Sequence, residues 1–439
     1  MSCTRFAPST SLRGSLRPPS DKSISHRAAL IAAMGEEWTN VEGFLDAADT
    51  RSTLDAVKAL GAEVVEERLG KGGGVAGARG LQLRIRGVGL RNPKPAAIDV
   101  GNAGTLLRLL PGWLAGQNDG EWRIDGDESI RRRPVDRIAA PLRAMGADLS
   151  AREDRLPPLE VRGAPLHGIE YEMPIASAQV KSCLLFAGLL AEGEMRVIEP
   201  APSRDHTERM LTAAGASVRR DGDAVVIAPA ERLESDDLLV PADISSAAFF
   251  LTAAVLVPGS EVDLESVGVN PTRIGLLTIL ERMGATIERD GETEEGGEPI
   301  ATIRVRSAHL RGTEVGGAEI PLAIDELPLV ALAACFAEGT TVIRDAEELR
   351  RKESDRIETV TAALRALGGE VEATPDGMVI EGTGGLRGGT IESHGDHRIA
   401  MLGAVAGLAS REGVEVVGMD AAAVSYPGFE RDLCSLQAR

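Results

Sequence analysis

One pattern limits the fold more than any other. Six times the chain runs through a helix-like stretch that is apolar on every face and then passes, near a glycine, into a strand. The copies are SHRAALIAAMGEEWTNV, GTLLRLLPGWLAGQNDGEWRI, AQVKSCLLFAGLLAEGEMRVI, SSAAFFLTAAVLVPGSEVDL, DELPLVALAACFAEGTTVI and DHRIAMLGAVAGLASREGVEVV. A helix without a polar face must be enclosed by other elements. Between the copies a second phrase recurs, as ALGAEV, AMGADL, AAGASV, RMGATI and ALGGEV, around Gly61, Gly146, Gly215, Gly284 and Gly368. Each reads as an amphipathic helix closed by a glycine cap and followed by a strand. Repeats of one buried helix, one amphipathic helix and several strands group best as three around each of two cores, an α/β (α+β) architecture.

The sixth copy lacks the return strand, and the strand-like TRFAPSTSLRGSLRPP at the N-terminus is available to fill it. We therefore expect one domain from residues 1–20 plus 241–439 and a second from 21–240, with the chain crossing near Pro19 and Pro241. Two glycine-rich stretches read as flexible connections. GKGGGVAGARG, from Gly70, is a hairpin loop and not a phosphate loop, because its lysine precedes the glycines; the other is DGETEEGGEP, from Asp290.

The net charge of −19 argues against a nucleic-acid or acidic-membrane partner, so any anion site has to be local. The longest apolar runs, CLLFAGLLA and AAFFLTAAVLVPG, fall short of the ~20 residues that span a bilayer. With no apolar leader at the N-terminus, a cytoplasmic location is expected. Four scattered cysteines without a CxxC pair read as reduced thiols.

Each buried helix opens on a polar cluster. These are Lys22-Ser23-Ile24-Ser25-His26-Arg27, Asn102-Ala103-Gly104-Thr105, Ser177-Ala178-Gln179-Val180-Lys181, Asp243-Ile244-Ser245-Ser246, Asp325-Glu326 and Asp396-His397-Arg398. Amphipathic helices open on RRRPVDR, SRDHTER, NPTR and RRKESDR. A helix N-terminus carries about half a positive charge and unpaired N–H groups, which suit an anion. Asp243, Ser245 and Ser246 are expected as ordinary caps. Capping does not explain Lys22, Arg27, Arg133, Lys352, Arg356 and Arg398, which oppose the local dipole unless a bound anion offsets them. Asp325 and Glu353 interrupt this basic set, and a carboxylate there hinders anion binding unless it serves general acid–base chemistry. His394 and His397 lack the further ligands of a metal site, so hydrogen bonding is the plainer role for His397.

In order along nearly the whole chain, DKSISHR, GNAGTLLR, RRRP, SAQVKS, SRDHTE, RRKESDR and GDHRIAM resemble the 5-enolpyruvylshikimate-3-phosphate synthase family. The resemblance implies a two-domain inverse α/β barrel, with three βαβαββ repeats per domain and an active site in the interdomain cleft. Closure of that cleft is expected on charge grounds, because cations and helix dipoles on facing surfaces hold an empty cleft open by repulsion and anionic substrates relieve it. The resemblance implies transfer of the carboxyvinyl group of phosphoenolpyruvate to the 5-hydroxyl of shikimate 3-phosphate, releasing phosphate.

Carried over motif by motif, Lys22 contacts both substrates. Ser23, Arg27, Ser177, Gln179, Ser203, Arg204, Asp325 and Lys352 hold shikimate 3-phosphate. Asn102, Gly104, Arg133, Gln179, Arg356, His397 and Arg398 surround phosphoenolpyruvate. Asp325 is the base toward the hydroxyl, Glu353 the proton donor to the methylene, and Lys22 takes part in the chemistry. No cofactor, metal or covalent enzyme intermediate is implied, and a monomer is expected.

The chain departs from some members at Val424, where they place a lysine, at Glu348 in place of asparagine, and at Ala178 in place of serine. Glyphosate tolerance goes with alanine where this chain has Gly104, so inhibition is expected. Two other readings stand beside this one. A UDP-N-acetylglucosamine enolpyruvyl transferase should show a KN pair at the first helix and a cysteine in the arginine-rich loop, and neither is present. A non-catalytic binder of anionic metabolites gains nothing from Asp325 and Glu353.

Overall fold

The computed structural model describes residues 3–67, 80–234 and 237–437. The chain divides into two compact units, a first of Met1–Pro19, Ala242–Thr293 and Pro299–Arg439, and a second of Ser20–Pro241 and Glu294–Glu298.

Each repeat builds one small sheet in one order. In the second unit, Ala96–Asp99 runs parallel to Glu121–Asp125, which pairs antiparallel with Leu156–Arg162, and that strand with Asp148–Arg152. Glu170–Glu172, Met195–Ile198, Ala224–Ile227 and Val218–Asp221 repeat the arrangement. A parallel pair needs a crossover, and the buried helices Gly104–Ala115 and Ala178–Gly188 supply it. The third sheet takes its parallel strand, Leu238–Leu239, from the far end of the unit, beside Trp38–Phe44.

The first unit uses the N-terminal residues in the same way. Arg13–Leu16 lies parallel to Glu261–Gly268, and Cys3–Phe6 lies antiparallel to Val414–Val417, which also pairs with Gly389–Glu392. The remaining sheet joins Glu314–Val315, Glu338–Ile343, Gly377–Thr383 and Glu370–Thr374.

The recurrent glycines end their helices as the sequence predicts. Gly61, Gly146, Gly215, Gly284 and Gly368 have φ of 107°, 105°, 86°, 111° and 92°. In each case the next N–H returns to a carbonyl five residues back, from Ala62 to Val57, Ala147 to Leu142, Ala216 to Leu211, Ala285 to Leu280 and Gly369 to Leu364. That is the Schellman pattern, which needs the left-handed backbone a side chain resists.

DGETEEGGEP is a correction. Its first residues belong to the ten-residue strand Thr286–Glu295, and only Gly296 and Gly297, both at positive φ, turn the chain into Glu298–Arg306. Gly70–Gly80 connects the antiparallel strands Glu63–Glu67 and Leu81–Arg86; residues 70–79 lie outside the described residues.

The helices with no polar face are buried, Ile244–Leu256 at every position. Packing them this closely sets the helix starts side by side. A Cβ at Gly112 would lie 2.0 Å from the Cys183 carbonyl oxygen, so only glycine lets the helices Gly104–Ala115 and Ala178–Gly188 approach as they do. Among the described residues no helix is long and apolar enough to cross a membrane, and all four cysteines are free thiols. Burial raises the thiol of Cys335 to about 12, so it is inert packing.

Candidate active site

In the second unit the helix starts meet one another. Asp21 caps Lys22–Met34 by accepting from the Ile24 N–H at 2.8 Å, and Ser177 caps Ala178–Gly188. Gln179 Nε2 donates to Thr105 Oγ1 at 3.2 Å, joining the starts of two buried helices, while Gln179 Oε1 is buried with no hydrogen-bond partner among the described residues. Gly104 faces Arg133, whose Nη1 would lie 2.5 Å from a Cβ at that position. Arg133 is half-buried and, among the described residues, carries no ion pair, so its charge is available to a ligand. Ser23 is half-buried and Asn102 exposed.

Arg27 is placed differently from an open ligand residue. It is 1% exposed, and its guanidinium donates to Thr207 Oγ1 at 2.7 Å, Ser182 Oγ at 3.0 Å and the Ser23 carbonyl at 2.9 Å. It ties three helices together. Burial lowers it to about 10, against the pull of Glu208 and Asp21, which still leaves it charged at neutral pH. Ser203, 7% exposed, gives its hydroxyl proton to Glu199, and Arg204 beside it is half-buried.

The first unit gathers a denser set. Lys352 Nζ is 3.4 Å and Arg356 Nη1 3.5 Å from the same Asp325 oxygen. Arg356 also donates to Glu353 at 2.6 Å and to Asp396 at 2.9 and 3.3 Å, and is itself 1% exposed. Arg398 donates from Nη1 to the Asp325 carbonyl at 2.9 Å, with Glu326 at 3.5 Å. Glu348 sits 3.5 Å from Lys352, sharing its charge, and Val424 is an exposed apolar side chain.

Two expectations need correcting. A bound anion is not all that offsets the cations at helix starts, because carboxylates remote in sequence do much of it. Asp49 lies 3.1 Å from Lys22 Nζ, and Asp396 holds Arg356. Of the three caps expected at residues 243–246, Asp243 alone serves, accepting from the Ser245 N–H at 2.9 Å; Ser245 turns its hydroxyl to Glu326 and receives Arg273 at 2.8 Å.

Asp49 is the functional-looking residue that motif reading missed, while Glu326 and Asp396 stand in the helix-start clusters of the sequence with no role assigned to them. Asp396 was legible as a cap in GDHRIAM, whereas Asp49 in DAADT carries no signal without the packing of Ala48–Ala59 on the first helix. Burial alone would raise the Asp49 carboxyl, but His26 and Lys22 hold it well below the usual carboxylate range.

The same contest runs through the first unit. Burial raises Glu353 and Asp396, yet Arg356 outweighs it and keeps both carboxyls below their ordinary values. Burial would lower Arg398, but Asp325 and Glu326 more than compensate. His397 is pushed down to about 4 by burial and by Arg398, from an ordinary 6.5. These shifts act on stability with one sign. The neutral, half-buried His397 must gain a proton on unfolding below about pH 6.5, and the depressed carboxylates lose their contribution as pH falls through their folded values. Melting temperature should therefore drop steadily from pH 7 to pH 4, and His397→Gln should flatten the part between 6.5 and 4. A melting temperature constant across that range would contradict the account.

Among the described residues, no group of three or more His, Cys, Asp and Glu is arranged to hold a metal. The chemistry on offer is anion binding by cations and helix starts, with carboxylates placed among them.

Comparison with known proteins agrees in kind. Residues 6–433 match the family model for EPSP synthase (3-phosphoshikimate 1-carboxyvinyltransferase). A 3-phosphoshikimate 1-carboxyvinyltransferase from Geobacter sulfurreducens is 48% identical over 425 residues, 96% of each chain. One from Synechococcus sp. is 49% identical over 429 residues, 97% of this chain and 94% of the relative. The solved EPSP synthase of Acinetobacter baumannii is similar with a TM-score of 0.89 at 41% identity, covering 99% of this chain and 98% of that one. Motifs, repeat architecture and relatives thus converge, and the chain belongs to the EPSP synthase family.

Proposed function

We propose that this chain transfers the carboxyvinyl group of phosphoenolpyruvate to the 5-hydroxyl of shikimate 3-phosphate by addition and elimination. The observation that carries the reading is the pair of carboxylates about one guanidinium, with Asp325 3.5 Å and Glu353 2.6 Å from Arg356. Addition forms a bond from the 5-oxygen to the enol carbon, while the hydroxyl loses a proton and the methylene gains one. Elimination breaks the bond to phosphate as the new methyl gives a proton back. Asp325 takes the hydroxyl proton, and Glu353 serves the methylene and then the methyl. Glu353 is ionised beside Arg356; when phosphoenolpyruvate neutralises that guanidinium, the carboxyl rises and becomes a proton donor.

Lys22 contacts both substrates. Ser23, Arg27, Ser177, Gln179, Ser203, Arg204 and Lys352 serve shikimate 3-phosphate, Arg27 by fixing the helices more than by open contact. Asn102, Gly104, Arg133, Gln179, Arg356, His397 and Arg398 serve phosphoenolpyruvate. The working form is a single chain, and free thiols support a reducing, cytoplasmic setting.

The test is phosphate release from phosphoenolpyruvate with shikimate 3-phosphate or UDP-N-acetylglucosamine as acceptor. Release with the first alone is expected; release with the second, or with neither, overturns the reading. Glyphosate should inhibit, and Gly104→Ala should weaken inhibition and raise KM for phosphoenolpyruvate together, because the new Cβ pushes on the Arg133 guanidinium. Inhibition unchanged in that variant would count against Arg133 as the anion contact.

A further inference from the structure

Beneath the Ser203–Arg204 loop lies a buried charge cluster that no step above uses. Lys181, on Ala178–Gly188, is 0% exposed, and its ammonium is 2.9 Å from Glu199, 2.7 Å from Glu208 and 3.3 Å from the Ser203 carbonyl oxygen. Glu199, 5% exposed, follows the strand Met195–Ile198, accepts the Ser203 hydroxyl proton and has Arg220 at 3.4 Å. Glu208 stands on His206–Ala213, the helix that the loop leads into. The neighbouring residues Ser182 and Thr207 hold Arg27. Two cations are thus buried between one pair of helices.

Burying an ion pair seldom adds net stability over an apolar pair, so its retention calls for another account. Here two polar groups of one residue are taken, the Ser203 hydroxyl by Glu199 and the Ser203 carbonyl by Lys181. We propose that Glu199 and Lys181 are positioning residues of the shikimate 3-phosphate subsite, pinning Ser203 so that the loop is ordered before the substrate phosphate arrives. This rests on the reading that Ser203 serves that phosphate. A serine hydroxyl has one proton to give, so phosphate and Glu199 compete for it. When phosphate takes it, Lys181 and Arg220 remain to balance Glu199.

The test is steady-state kinetics on the full chain with both substrates varied. Glu199→Gln should raise KM for shikimate 3-phosphate about tenfold or more, the scale of a lost charged hydrogen bond, and leave KM for phosphoenolpyruvate unchanged. Added to Ser203→Ala, it should have little further effect, because it acts through that serine. Should Glu199→Gln alone fail to fold, Lys181→Met with Glu199→Gln removes both charges of the pair. Burial pushes the Glu208 carboxyl up, and losing the Lys181 charge pushes it further the same way; the same selective rise in KM is expected. Equal rises in both KM values, unchanged KM values with a lowered melting temperature, or additivity with Ser203→Ala would each overturn the positioning role. The wild-type chain run alongside separates the readings. If it fails to use shikimate 3-phosphate, the substrate assignment falls and the positioning role with it; normal wild-type turnover with unshifted variants overturns the positioning role alone.

Discussion

Asp325→Asn and Glu353→Gln should each lower kcat by about 10²- to 10⁴-fold, the range of a lost general acid or base, while binding of phosphoenolpyruvate is unchanged or tighter. The second half of the expectation carries the diagnosis. A carboxylate beside an anion site weakens anion binding, so its removal strengthens a pure binder and disables an enzyme. The variants should fold, because Asp325 and Glu353 are not the sole partners of the cations they touch. Without Asp325, Lys352 keeps Glu348 at 3.5 Å and Arg356 keeps Glu353 and Asp396. Without the Glu353 charge, Arg356 keeps Asp396 at 2.9 Å. Calorimetric binding of phosphoenolpyruvate beside single-turnover rates makes the comparison. Weaker binding with turnover intact would leave both acids as charge partners of Lys352 and Arg356 alone.

Much of this was legible before any coordinates, because its causes are local. An all-apolar helix has to be buried, and a glycine before a strand supplies the left-handed residue that ends a helix. That reasoning located the helix ends at Gly61, Gly146, Gly215, Gly284 and Gly368. It failed at DGETEEGGEP because acidic and glycine-rich composition describes solvent exposure, not backbone pairing. A two-residue turn at Gly296–Gly297 suffices for a hairpin, and Glu292, Glu294 and Glu295 before it sit in a strand with their side chains exposed, while Glu298 after it is buried against His206.

The site was legible as residue types and only partly as partners. Cations at helix starts read as the mark of an anion site, and that reading picks out Lys22, Arg27, Arg133, Lys352, Arg356 and Arg398. What neutralises them in the folded chain depends on which helices pack together, information that motif spacing lacks. Lys22 meets Asp49 from the next helix, and Arg356 meets Asp396 from 40 residues away. Arg27 shows the same limit. By resemblance a motif assigns it to the site, and in the structure its buried guanidinium bridges three helices.

Arg356→Met should therefore unfold as well as inactivate. Arg356 is 1% exposed and Asp396, its main partner, 0%. Without the guanidinium, the Asp396 carboxylate keeps a hydrogen bond from Ser354 and one from the Arg398 N–H, each at 2.9 Å, and, among the described residues, no other ion pair. Breaking a buried pair from one side costs about 3–5 kcal/mol. In a unit of this size that lowers the melting temperature by roughly 10 °C. The loss should deepen with rising pH, because the stranded carboxylate is costly only while ionised. Arg356→Met with Asp396→Asn should recover part of the stability and none of the activity, since the neutral amide still caps the helix but nothing replaces the cation that faces Asp325 and Glu353. A single variant that melts like the parent would mean that Arg356 is a ligand-binding residue alone. Recovery of turnover in the double variant would mean that its charge is not needed for phosphoenolpyruvate. Either result would separate the two roles proposed for one side chain.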